Sequence, residues 1–359
     1  MAGAGLSGPV MATYLSNHGY EVDLYESRHD MRVIAQSAGR SINLALSERG
    51  IVALKDIGVF EKIKPSLLPM EGRMIHDKEG NTSLQMYGQK KNEVIYSVSR
   101  SQLNMILLDH SESTGKVNIH FNSTIQGLDL NKQTLSLNDK NVLFKRLLGS
   151  DGASSKVREA INEKSPINFI KNTLDHGYKE LTIPASCNEE FMMEEKALHV
   201  WPRGQFMLIA LPNMDKSFTC TLFLPLEGKL SFGSIKTKNQ ILEFFEKYFP
   251  DTIDLIPELC EEYQNNPTGK LATVYCDQWH YEDIALIFGD AAHAIVPFFG
   301  QGMNASFQDC TVMNFLLKRF ENDWGKIFSE YSRFQVPNGH AIANMALENY
   351  IEMRDSVND

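Results

Sequence analysis

Apolar residues recur along this chain at two spacings, and the changes between them outline its elements. Pro9 to Asn17 has helical spacing with Gly19 as a stop, and Glu21-Val-Asp-Leu-Tyr25 reads as a strand that ends at Glu26. Glu48 through Leu54 is helical again and ends near Gly58. Residues 69–98 alternate weakly, with turn signals at Gly80-Asn81 and Gly88, which predicts antiparallel strands. Ser99 opens a helix to about His110, and short strands follow around 117–121 and 134–137. Leu147-Leu148 runs into Ser150-Asp151-Gly152 and a short helix carrying Arg158. Residues 177–234 are dense in β-type alternation: 178–183, 197–201, 205–211 and 218–223. A helix over Ile241–Phe249, a second such pattern over Asp251–Tyr263, and a strand over 269–275 come next. The apolar run Ile284–Phe288 predicts one buried strand, halted at Gly289-Asp290. A Pro-Phe-Phe loop and Gly300-Gln-Gly302 then open a helix to about Arg319, and Trp324–Met353 is helical by periodicity.

A β-rich block set between α/β segments predicts a mixed α/β (α+β) fold with two parts. The expected division gives residues 1–68, 99–175 and 270–323 to one discontinuous part. It gives 69–98 and 176–269 to a β-sheet part, and 324–359 to C-terminal helix.

Composition narrows the chemistry. A chain of 359 residues with 43% hydrophobic and 22% charged positions is ordinary for a globular enzyme. A formal charge of −10 argues against nucleic acid as partner. No apolar run approaches a membrane span and no signal peptide precedes the first motif, so a cytoplasmic protein without a membrane partner is expected. The five cysteines lack any Cys-x-x-Cys pairing, and the histidines lack metal-ligand spacing, so neither a disulfide frame nor a metal is expected.

The most specific motif is Gly3-x-Gly5-x-x-Gly8, followed by a helix, a strand and Glu26 about twenty residues on. Glycines permit a tight turn and close approach to a pyrophosphate, the helix start offers N–H groups to phosphate, and the acid suits a ribose hydroxyl. Only Met1-Ala2 precede Gly3, so the strand that normally leads into this turn is expected to be absent. Arg100 stands in the first turn of its helix, opposed to the helix dipole, and is therefore expected to serve an anion or a partner. Asp151-Gly152 and Gly289-Asp290 repeat the pattern of a strand ending in a carboxylate beside glycine.

In their order, Gly3–Gly8, Ser150-Asp151-Gly152 and Gly289-Asp290-Ala-Ala-His293 resemble the group A flavoprotein aromatic hydroxylases. Within that group the chain is similar to the kynurenine 3-monooxygenase family. The similarity is carried by Arg40-Ser-Ile-Asn-Leu-Ala-Leu-Ser47, Gly72-Arg-Met-Ile-His76, His176-Gly-Tyr-Lys-Glu-Leu181, Val296-Pro-Phe-Phe-Gly-Gln-Gly-Met-Asn304 and Met345–Met353. The resemblance implies a Rossmann-like FAD-binding domain of the para-hydroxybenzoate hydroxylase type with an inserted antiparallel substrate sheet. It implies FAD reduced by NADPH, O2 captured as a flavin C4a-hydroperoxide, and hydroxylation of L-kynurenine to 3-hydroxykynurenine in tryptophan degradation, with no protein nucleophile. Alternatives are another group A aromatic hydroxylase or an uncoupled, inactive flavin-binding module.

For the cofactor the resemblance implies Gly3, Gly5, Leu6 and Gly8 at the pyrophosphate, Glu26 at the adenosine ribose, and Arg28 nearby. Arg100, Asp151, Gly152 and Asp290 would serve the phosphate and ribitol side; Ala45, Gly302, Met303 and Asn304 would lie at the ring. For the substrate it implies Arg73 at the carboxylate, where a planar guanidinium binds in a bidentate way that lysine does not reproduce. Tyr87 and Asn349 would complete the amino-acid end, and Pro297 and Phe298 the wall. Phe206, Met207, Phe218 and Phe223 read as core residues ahead of cavity contacts, and His293 as a structural histidine. Family members continue past the position of Asp359 into a helical region that caps the site, so a site short of its lid is expected, and a homodimer is possible.

Overall fold

The computed structural model describes residues 1–33, 43–90, 93–138 and 140–355; Arg40 lies outside them. Parallel pairing joins Val22–Tyr25 to Val117–His120, and Leu147–Gly149 to Ala285–Ile287. Between these two pairs the expected gap is filled. Ala2 bridges both Tyr25 and Gly149 in parallel, donates its N–H to the Leu148 carbonyl at 2.9 Å and accepts from Ser150 N at 2.8 Å. Gly3 N donates to the Tyr25 carbonyl at 2.8 Å on the other side. The first residues thus take the central strand's place through isolated bridges, while among the described residues no strand precedes the helix Ser7–Asn17, as expected. The helix Ser7–Asn17 packs on this sheet through Val10, Met11 and Tyr14, all buried.

The second part is a seven-stranded sheet in the order Gly269–Cys276, Phe169–Ile183, Phe218–Pro225, Met207–Pro212, Ala197–Pro202, Gly72–His76, Thr82–Met86. Its pairs are antiparallel except Ala197–Pro202 with Gly72–His76, which run parallel. Gly269–Cys276, expected in the cofactor part, is an edge of this sheet. Leu68–Met70 and Ile95–Ser99, expected in the sheet part, belong instead to a separate three-stranded sheet, in which Ile95–Ser99 pairs with Asn43–Leu46 on one side and Leu68–Met70 on the other.

Side chains of a strand alternate between faces. Leu181, Leu208, Cys220 and Leu222 point to a core closed by Phe244 and Phe245 of the helix Lys238–Tyr248. Thr237 caps that helix in a reciprocal capping box with Gln240. The pattern expected over Asp251–Tyr263 splits into a 3-10 turn, Pro250–Thr252, and a short helix, Leu259–Asn265. Pro257 lies between them and cannot continue a helix from the preceding turn. The opposite face of the sheet looks toward the parallel part, and the cavity lies there.

Candidate active site

A cavity of about 820 Å³ runs from the glycine turn to the face of the seven-stranded sheet. At one end lie Gly3, Gly5 and Leu6 at the start of the first helix, with Glu26, Arg28, Asp151 and Gly152 around them. Gly3 has φ +91°, and a Cβ there would strike the backbone of Ser150 and Asp151. At Gly5 an added Cβ meets nothing within 4 Å, so this glycine keeps room for a ligand. Gly8 does not line the cavity: a Cβ there would strike the Gly3 carbonyl, so its part is close packing of the helix on the turn.

Glu26 is buried, accepts from Ala4 N at 2.8 Å and is paired with Arg28 Nε at 2.8 Å. Burial opposes its charge, but hydrogen bonds and the Arg28 guanidinium outweigh that and hold its pKa below the usual value. Asp151 caps the helix Lys156–Lys164, accepting from Lys156 N at 2.7 Å and Ser155 Oγ at 2.5 Å. Burial still pushes its pKa up.

In the middle of the cavity stand Asp290, Ala45, Arg100, Gly302 and Met303. Gly289, at φ 58° and ψ −144°, makes the turn that puts Asp290 at the strand end. Asp309 fixes that turn: it accepts from Gly289 N at 2.8 Å, from His293 Nε2 at 2.6 Å and from Gln335 Nε2 at 2.6 Å. His293 is thus a buried structural residue, stacked on Trp279. Asn304, expected under the ring, is instead fully buried away from the cavity. Its Oδ1 accepts from Ser47 N at 2.9 Å and its Nδ2 donates to the Ala45 carbonyl at 2.8 Å. One residue of helical rotation separates it from Met303, which does face the cavity.

At the far end Arg73, Tyr87, Tyr178, Met207, Ile209, Thr221 and Phe223 face Pro297 and Phe298. Arg73 Nε and the Tyr87 hydroxyl are buried without hydrogen-bond partners among the described residues, and the guanidinium carbon is 5.9 Å from the Tyr87 ring centre. Burial raises the Tyr87 pKa against the pull of Arg73. Phe298 stacks on Tyr350 at 3.8 Å and packs against Phe223 at 4.9 Å. Asn349 does not line the cavity: its Nδ2 donates to the Phe298 carbonyl at 2.8 Å and holds the wall from behind.

Of the four residues expected in the core, Phe206 and Phe218 are there, but Met207 and Phe223 line the cavity. Tyr178, Ile209, Leu211, Thr221, Ile295 and Gln301 also line it and were not anticipated. The signal was present: 207, 209 and 211 on one strand and 221 and 223 on the next share one face by alternation.

A glycine cradle at a helix start, a carboxylate at each of three strand ends and an apolar chamber beyond define a dinucleotide-dependent enzyme with a buried substrate site. The model of the FAD binding domain family matches residues 1–328. Kynurenine 3-monooxygenase of Myxococcus xanthus is 44% identical over all of this chain and 78% of its own length. Kynurenine 3-monooxygenase of Stenotrophomonas maltophilia is 44% identical over 99% of this chain and 79% of its own. The chain belongs to the FAD-binding monooxygenases and, within them, to the kynurenine 3-monooxygenase family. Two solved structures share the fold. A Klebsiella pneumoniae HpxO variant complexed with FAD has TM-score 0.80 at 15% identity, covering 99% of this chain and 89% of that one. The tetrameric 2-methyl-3-hydroxypyridine-5-carboxylic acid oxygenase has TM-score 0.79 at 19% identity, covering 98% and 91%. Among the described residues no helix is long and apolar enough to cross a membrane, and no cluster of His, Cys, Asp and Glu suits a metal.

Proposed function

We propose that this protein hydroxylates L-kynurenine at ring carbon 3, with FAD as bound cofactor and NADPH and O2 as co-substrates. One observation supports the choice of substrate above the others. A guanidinium nitrogen and a phenol hydroxyl, both buried and without partners among the described residues, face an aromatic-walled chamber that continues into the nucleotide cradle. Buried polar groups without partners are costly, and a ligand bearing a carboxylate would satisfy both.

When bound, FAD supplies the electron transfer and oxygen activation that no side chain can. The protein's own residues bind, orient and exclude water. Gly3, Gly5 and the start of the helix Ser7–Asn17 would receive the pyrophosphate. Glu26, preset by Ala4 N and Arg28, would accept from a ribose hydroxyl. Asp290, carried on the Asp309-fixed turn, would face the ribitol. Arg73 would grip the substrate carboxylate with both arms of its fork, with Tyr87 donating beside it. Phe223, Phe298 and Met207 would hold the ring and keep water out, which protects a reactive oxygen species from side reactions.

The test is product analysis. The FAD-loaded protein should oxidise NADPH faster with L-kynurenine and yield 3-hydroxykynurenine in matching amount. NADPH oxidation that makes only hydrogen peroxide, or that ignores kynurenine, would overturn the reading.

A further inference from the structure

We propose that the Thr221 hydroxyl accepts a hydrogen bond from the ring amine of the substrate, and so selects 2-aminophenyl ketones over phenyl ketones that lack the amine. The proposal rests on the reading of the chamber as a kynurenine site with the carboxylate at Arg73.

Thr221 is out of character with the wall it belongs to. Leu198, Met207, Ile209, Leu211 and Phe223 line the cavity from the same sheet, and all are apolar. Thr221 lines it among them, directly opposite Ile209 in register. It is 2% exposed, and its hydroxyl is buried with no hydrogen-bond partner among the described residues. Glu180, opposite it on the other neighbouring strand, does not engage it. Cys220 and Leu222, on either side along the chain, enter the core on the far face. A valine would fill the same shape without the cost of an unpaired buried hydroxyl. Packing therefore gives no reason for the oxygen, and a ligand atom does.

Register says which end of a ligand it meets. The row through Thr221 runs over Ile209 and Val200 to Ile75, two residues from Arg73 on the strand Gly72–His76. Thr221 and Arg73 thus stand three strand spacings apart, about 14 Å across the sheet. Two side chains and a ligand of kynurenine's length bridge that interval. Phe223, on the same face two residues past Thr221, packs against Phe298 at 4.9 Å. A carboxylate held at Arg73 and Tyr87 accordingly places the aromatic ring between Phe223 and Phe298, beside Thr221.

The substrate's chemistry asks for an acceptor there. In a 2-aminophenyl ketone one amine N–H closes onto the ketone oxygen in a six-membered ring. The other N–H points away from the ketone and, in an apolar chamber, is left without an acceptor. A hydroxyl oxygen has two lone pairs to offer it. A buried donor and a buried acceptor that meet remove two desolvation penalties together, which is worth about tenfold in affinity.

The test is calorimetric titration of the FAD-loaded protein with L-kynurenine and with its analogue lacking the ring amine, 2-amino-4-oxo-4-phenylbutanoate. Wild type should bind kynurenine about tenfold more tightly than the analogue. Thr221→Val should weaken kynurenine about tenfold, leave the analogue within about twofold, and not lower the Tm of the unliganded protein. Thr221→Ser keeps the oxygen and should retain most of the preference. Tyr178→Phe removes the hydroxyl of the cavity-lining residue opposite Phe223, and should keep the preference whatever it does to overall affinity. A wild type without the preference overturns the proposal and leaves kynurenine as substrate. So does a Thr221→Val protein that keeps it, that weakens both ligands equally, or that melts lower, and so does a preference lost in Tyr178→Phe. A wild type that binds neither ligand overturns the functional reading and the proposal together.

Discussion

Replacing Arg73 by leucine tests the substrate assignment most directly. The side chain starts from the strand Gly72–His76, between Leu198 and Gln85 in register, so the backbone that aims it is braced on both sides. Its Nε is buried with no partner among the described residues, and the Tyr87 ring lies 5.9 Å from the guanidinium carbon. Leucine keeps much of the aliphatic stem and removes the fork. A charge-assisted bidentate pair that is fully enclosed is worth 3 kcal/mol or more, and Arg73 is only partly buried. The discounted loss is about 2–3 kcal/mol, which is roughly 30- to 150-fold in Kd. Arg73→Lys keeps the charge but not the fork and should lose about tenfold. Calorimetric titration of the FAD-loaded protein with L-kynurenine measures both. The decarboxylated analogue of kynurenine supplies the control, because Arg73→Leu should leave its affinity within about threefold. Equal losses for ligands with and without the carboxylate would refute the assignment, and so would a Kd for kynurenine that does not move.

Four further outcomes follow from the geometry. Gly5→Ala adds a methyl that meets no protein atom within 4 Å but intrudes on the cradle, so stability should stay within about 0.5 kcal/mol while FAD affinity drops at least tenfold. Gly8→Ala should instead destabilise the fold by about 2 kcal/mol or more, seen in urea unfolding. Tyr87→Phe removes a buried hydroxyl that has no partner among the described residues; the apoprotein should be as stable or up to about 1 kcal/mol more stable, while KM for kynurenine rises. For His293, burial acts to lower the pKa, but the charge and hydrogen bond of Asp309, with Asp290, outweigh it and the net direction is up. A raised folded pKa gives stabilisation that is complete below the ordinary histidine value and lost as pH rises through the folded one. The stability gap between wild type and His293→Gln should therefore shrink with rising pH, and a gap that stays constant in urea unfolding counts against the ion pair.

The elements were legible wherever one face or one turn dominates. The glycine turn, the strand to Glu26 and the helix Gly302–Phe320 follow from period and punctuation, because each rests on local backbone demands. The central strand's place was hidden because the short stretch Met1 to Gly3 makes its backbone contacts, and no periodicity exists in so short a stretch. The division into parts was blurred at Leu68–Met70 and Gly269–Cys276, since a strand's own pattern does not name its partner. Met207 and Phe223 were read as core because an apolar cavity wall and a core have the same composition. Only the register between strands tells the two faces apart.

Asn304 and Asn349 show a different limit. Both are near the ligand in sequence, and both spend their amides on the backbone that shapes the cavity rather than on the cavity. The same device recurs where the parts meet. Asn104 donates to the Gly5 carbonyl at 3.1 Å, bracing the glycine turn from a helix about a hundred residues later in sequence. Asn43 and Ser97 both donate to the Pro212 carbonyl, at 3.0 and 2.8 Å, and so tie the three-stranded sheet to the end of a seven-stranded-sheet strand. Each such bond adds only about 1 kcal/mol net, yet losing it strands a buried carbonyl at a cost of about 1–3 kcal/mol. The asymmetry favours one arrangement over its neighbours more than it adds stability. A site whose cofactor cradle and substrate wall come from segments hundreds of residues apart needs that kind of selection. Polar residues chosen for it look, in sequence, like ligand contacts.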